Sequence, residues 1–159
     1  MDPQLSKAIR QAALGEKVQK AGVLTADDDL FTVVGQVLIT LIYGEVTTVM
    51  DGGASTVKLN EKTSSIDLCA ATTITSDAVG EIYLLSGDAG AVVNGADAPT
   101  LKVGQLAGTP LTPLVFGLGN GALGSLTIES TQTGADTGEI LWTLFYIPLE
   151  EGAYVEAAA

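Results

Sequence analysis

The hydrophobic rhythm of this chain changes once. Over residues 2–20, apolar positions recur at helical spacing. Leu5, Ile9, Ala12, Ala13 and Val18 fall near one face, with Lys7, Arg10, Lys17 and Lys20 elsewhere. Asp2 suits an N-cap and Pro3 the first helical position, so a helix is predicted to start there. Gly15 weakens its middle, and Gly22 is the expected stop. The apolar face is thin and mostly alanine, so such a helix needs a surface to lie on. Residues 23–29, VLTADDD, read as an acidic linker.

From Leu30 onward the pattern is that of strands. LFTVVGQVLITLIY is rich in β-branched residues, with Gly35 placed to form a bulge. Asp51-Gly52-Gly53 is a hairpin-type turn signal between VTTVM and ASTVKLN, where Val57 and Leu59 alternate with Thr56 and Lys58. SIDLCAATTIT and EIYLLSG follow as strands, with short ones at AVVN and TLKVG, while Pro110 and Pro113 mark an edge or loop. SLTIES and GEILWTLFYIPL read as a closing pair. In the second, Ile140, Trp142, Leu144 and Tyr146 share one face, and Leu141, Thr143, Phe145 and Ile147 the other. Both faces are largely apolar, so this strand is expected to be central or at an interface. Residues 149–159 are expected to be a mobile acidic tail. Strand signals recur about every 8–12 residues between 30 and 148, the spacing of a β-sandwich or jelly roll. The predicted fold is therefore all-β, a β-sandwich or jelly roll over residues 30–148, preceded by a helical arm of residues 1–22.

Composition adds a partner to this picture. The 159 residues are enough for one domain with its own core. Only 16% are charged, against roughly 25% in ordinary soluble domains, which suggests that part of the surface is covered. The net charge is −12 and uneven. Residues 1–22 hold four basic and two acidic residues, a net +2, whereas the remainder holds 3 basic and 17 acidic, a net −14. An acidic body repels phosphate, so it is not expected to bind nucleic acid; a basic arm suits either nucleic acid or an acidic protein surface. No apolar run is long enough to span a membrane. The start MDPQLSKAIR lacks the apolar centre of a secretory signal, so synthesis in the cytoplasm is expected.

Candidate chemistry is sparse. There is no histidine, which removes the commonest general base, the usual triads and the commonest metal ligand. The single cysteine, Cys69, sits in an apolar run and reads as a small buried hydrophobe. Asp27, Asp28 and Asp29 offer oxygens to calcium but lack the alternation and glycine of an EF-hand loop, so a solvated linker is expected. GLGNGALG lacks the strand and helix that would make it a phosphate loop. Trp142, Phe145 and Tyr146 suit either a ligand platform or, given so hydrophobic a strand, a core. No catalytic, cofactor or metal residues are expected, and neither is enzymatic activity.

The arrangement of a short helical arm, LFTVVGQVLITLIYGEVTT, DGGASTVKLN, DLCAATT and GEILWTLFYIPL resembles small virion structural proteins of tailed bacteriophages, especially head decoration (cement) proteins. The similar parts run from about Leu30 to Thr73 and through the terminal aromatic strand; residues 87–125 show no likeness. The resemblance implies a non-enzymatic protein, often trimeric, that is assembled in the host cytoplasm. It would clamp adjacent capsomers of a major capsid protein on the capsid surface, with many copies acting together through avidity. On this reading Leu5, Lys7, Ile9, Arg10, Ala12, Ala13, Lys17 and Lys20 form the capsid-binding arm. Ile140, Trp142, Leu144, Phe145 and Tyr146 form an oligomer interface or core strand. The alternative is a receptor- or glycan-binding module of a tail or fibre.

Overall fold

The strand with two apolar faces lies where that pattern requires, inside a sheet. A computed structural model of the chain describes residues 3–50, 53–63, 65–85, 103–105, 114–118, 124–134 and 137–159. In it β11 (Glu139–Pro148) is flanked by β1 (Glu16–Val23) and β3 (Val37–Thr48). The first sheet runs β1-β11-β3-β7 (Ile82–Leu84)-β8 (Val103–Gln105), with β9 (Leu114–Phe116) also pairing β3. The second runs β12 (Tyr154–Ala157)-β2 (Asp28–Val34)-β10 (Ser125–Thr133)-β4 (Thr56–Glu61)-β5 (Ile66–Asp67), with β6 (Thr72–Thr73) also on β4. Described pairs are antiparallel except β7 with β8. The predicted all-β fold with a short helical arm is present.

The two sheets share one core. Ile42, Val46, Ile140, Trp142, Leu144 and Tyr146 face inward from the first sheet, against Phe31, Val33, Val57, Leu59, Ile128 and Val155 from the second. Each such side chain contributes about 1.5–3 kcal/mol on full burial. Trp142 fits because its flanks are glycines. Gly44 lies directly opposite it in the ladder, where an added Cβ would stand 2.9 Å from the indole and 2.6 Å from Ile140. A Cβ at Gly22 would meet the indole at 3.1 Å from the other side.

Three bulges set which residues face the core. On β3 the register skips Thr40 and Thr47, so Val37 and Ile39 point inward before the first skip and Ile42, Gly44 and Val46 after it. The Thr40 hydroxyl lies 2.5 Å from the Leu14 carbonyl and 3.2 Å from that of Phe145, and Thr47 likewise reaches the Glu139 carbonyl at 3.3 Å. On β2 the skip at Leu30 lets the consecutive Leu30 and Phe31 both be fully buried.

Several sequence expectations are corrected. The helix α1 spans Pro3–Leu14 and does not reach residue 20. Gly15 ends it, with φ +87° and its N–H donated to the Gln11 carbonyl, and any Cβ there would overlap the Tyr146 carbonyl. Lys17, Val18, Lys20 and Gly22 therefore belong to β1 of the body, because a strand beside β11 satisfies more backbone than a marginal helix does. The expected linker 23–29 is the end of β1, a turn and the start of β2. Gly35 is no bulge: at φ +69° it turns the chain from β2 in one sheet to β3 in the other. Likewise β3 and β4 do not form a hairpin, nor do β10 and β11 form a pair; each pair is split between the sheets. Residues 149–159 are not a loose tail, since β12 pairs β2 through Tyr154–Val34 to Ala157–Phe31. The predictions for Asp2, AVVN, Pro110 and Pro113 lie outside the described residues.

Candidate interaction face

Residues opposite one another in a ladder share a face, so the pairings define each outer surface. On the first sheet the outward positions are Phe145 with Leu41, Thr143 with Tyr43, Leu141 with Glu45, and Ile147 with Leu38. Leu84, Ile82 and Val115 extend these rows across β7 and β9. The face is mostly apolar and only half covered. Val115 is 54% exposed and Ile147 37%. On the second sheet the outward positions of β2, β10 and β4 are Thr32, Val34, Ser125, Thr127, Glu129, Thr131, Thr133, Thr56, Lys58 and Asn60. That face is polar apart from Val34 and Tyr154 at one end, and side chains on it bond across strands: Asn60 donates to Glu129 at 2.6 Å and Lys58 pairs with Asp67 at 2.6 Å.

The helix α1 borders the apolar face. It contributes no buried residue, and its Leu5 and Ile9 are 54% and 52% exposed. Of the predicted arm residues, Leu5, Lys7, Ile9, Arg10, Ala12 and Ala13 are exposed on the helix. Lys7 and Arg10 join Gln11, Glu16, Lys17 and Phe145 around a groove of about 580 Å³. Lys20 is separated from them. It lies on the opposite face of β1 and donates to the Ala158 carbonyl at 2.9 Å. Glu16 accepts from the Tyr146 hydroxyl at 2.9 Å.

The aromatic strand divides. Ile140, Trp142, Leu144 and Tyr146 are core, whereas Phe145 is buried on the outer side, in the wall of the groove. Burial, and then the Glu16 carboxylate, push the Tyr146 hydroxyl above its ordinary pKa. Cys69 is buried beneath β4, its sulfur 3.1 Å from the Leu59 N–H, and burial raises its thiol to about 12. The three aspartates do not converge. Asp27 accepts from the Gln132 N–H at 3.0 Å, and Asp29 pairs with Lys62 at 2.8 Å. Bonding to Asp29 raises the Lys62 pKa. Among the described residues no three His, Cys, Asp or Glu side chains form a group able to hold a metal ion, and no helix is long and apolar enough to cross a membrane.

No family model, curated protein or solved structure matches this chain. Leu38, Leu41, Tyr43, Leu84 and Val115 were not singled out from sequence. The signal that could have found them is the run LITLIY, apolar but for Thr40, which fits a strand clothed on both sides.

Proposed function

We propose that this chain is a non-enzymatic structural module that decorates and stabilises a phage capsid, using α1 and the apolar face of its first sheet to bind between capsomers. The observation that carries the reading is the contrast between outer faces: one is mostly polar, with side chains that bond across strands, the other is apolar, half open and bordered by a helix that buries no residue. Contiguous exposed apolar surface of this kind marks an interaction site. The cations Lys7 and Arg10 on α1 suit an acidic capsid surface, while the acidic body is held off phosphate. The resemblance of the strand arrangement to head decoration proteins supplies the setting.

The test is attachment to purified particles. Deleting residues 2–14 removes α1 and keeps β1, whereas a cut to residue 22 would take a strand out of the first sheet. The truncated protein is expected to fold and to lose attachment, and Leu5→Asp with Ile9→Asp is expected to do the same. Full occupancy by both variants would overturn the reading. A handful of copies per particle in place of hundreds, or specific capture on a glycan array, would favour a tail or fibre module.

A further inference from the structure

One edge of the first sheet carries a pattern that neither the core nor the apolar face uses. β1 is paired on one side by β11, and no described strand lies on its other side. The Leu24 N–H donates to the Gly138 carbonyl at 3.2 Å, two residues beyond the Gly22–Ile140 pair. Bonding alternates along an antiparallel ladder, so even-numbered residues of β1 bond inward to β11. Lys17, Gln19, Ala21 and Val23 therefore direct their backbone N–H and C=O groups to the open edge.

Lysines on an edge strand usually block pairing with another chain. Here they are placed to permit one pairing. The segment Glu16-Lys17-Val18-Gln19-Lys20 is complementary in charge about its centre. A second copy laid antiparallel with Val18 opposite Val18 sets Glu16 against Lys20, and Lys20 against Glu16, on one face. It sets Lys17 against Gln19 on the other. Opposite charges directly across a ladder are stabilising, and like charges are not. Moving the centre to Gln19 loses both charge pairs, and moving it to Lys20 sets lysine against lysine. Both charged side chains are already held, Glu16 by the Tyr146 hydroxyl and Lys20 on the Ala158 carbonyl, so little ordering remains to oppose association.

We infer that β1 is a self-complementary edge through which two copies of this chain join about a two-fold axis at Val18, extending the first sheet across both. The inference is independent of the proposed function. The contact consumes the edge it uses and cannot close a ring of three; a trimer would have to use the helix or the apolar face.

Val18→Cys tests the contact directly. Facing residues of a non-hydrogen-bonded pair stand about 4.5 Å apart at Cα, within disulfide reach. Cys69 is buried, so the added thiol is the accessible one. Mild oxidation is expected to give a covalent dimer for Val18→Cys and not for Gln19→Cys. In sedimentation, Glu16→Lys and Lys20→Glu should each weaken the dimer at least tenfold, and the double swap should restore it. Preferential cross-linking at Gln19, a double swap that stays as weak as the single changes, or no cross-link at Val18 in a chain that sediments as a monomer, would each overturn the inference. If Glu16→Lys fails to fold, the Val18→Cys and Gln19→Cys comparison still decides.

Discussion

The two outer faces are built from strands of one sandwich over one core, yet they meet water differently. On the second sheet, threonines alternate with core residues, and the charged and amide side chains bond across strands. On the first, Leu38, Leu41, Tyr43, Leu84 and Phe145 stand in rows where polar residues would serve a free surface better. The difference shows that alternation is a property of solvent access and not of strands. A strand is written with period two when one side is wet, and without it when something lies on each side.

The largest effect should come from destroying the register that separates the faces. Trp142→Ala empties a fully buried site and should cost about 3–5 kcal/mol, close to 10 °C in Tm for a domain of this size. Gly44→Val, whose Cβ would stand 2.6 Å from Ile140, should be at least as damaging. Urea or thermal unfolding measures both, and loss of both sheets in one transition is expected.

Next comes alkali, which acts on both sheets together. The folded Cys69 thiol is held to about 12 while an unfolded thiol ionises near 9. The stability associated with keeping it neutral is complete below pH 9 and is lost as pH rises toward 12. The slope is about 1.4 kcal/mol per pH unit for one proton. The raised Tyr146 and Lys62 act with the same sign over the alkaline range. Unfolding midpoints across pH 8–11 check this, and Cys69→Ala should flatten the slope.

The sharpest comparison of faces has the smallest effect on stability. Val115→Lys with Ile147→Lys on the first sheet, and Thr127→Lys with Thr133→Lys on the second, should each change unfolding free energy by less than about 1 kcal/mol. Only the first pair should abolish attachment to a particle, as read by pelleting. Equal loss from both pairs would erase the distinction. Lys58→Ala, which removes an exposed ion pair on the polar face, should shift stability by no more than about 0.2–1 kcal/mol.

Much of the architecture is legible in the residues, because the two-faced pattern of Ile140 to Ile147 can be satisfied only inside a sheet. Partnership between strands is not. Asp51-Gly52-Gly53 says that the chain reverses, but a reversal looks the same whether the next strand joins its own sheet or crosses to the facing one. Residues 16–22 mislead for another reason. EKVQKAG has weak preferences of either kind, and the open side of β11, well over a hundred residues later, decides its form. Of the candidate site, Leu5, Ile9, Lys7 and Arg10 were visible as an arm. The apolar face was not, because it is assembled from β3, β7, β9 and β11.

The position of β11 also has a consequence in time. It joins β1 to β3, pairing Glu16 with Tyr146 and Val23 with Glu139, and it is the penultimate strand. Such distant pairings make folding slow, on the scale of milliseconds to seconds. On a ribosome the first sheet cannot close until residue 148 has left the exit tunnel, so Ile39, Ile42 and Val46 must wait in the open until then. The nascent chain is therefore most exposed to aggregation in the interval before β11 emerges.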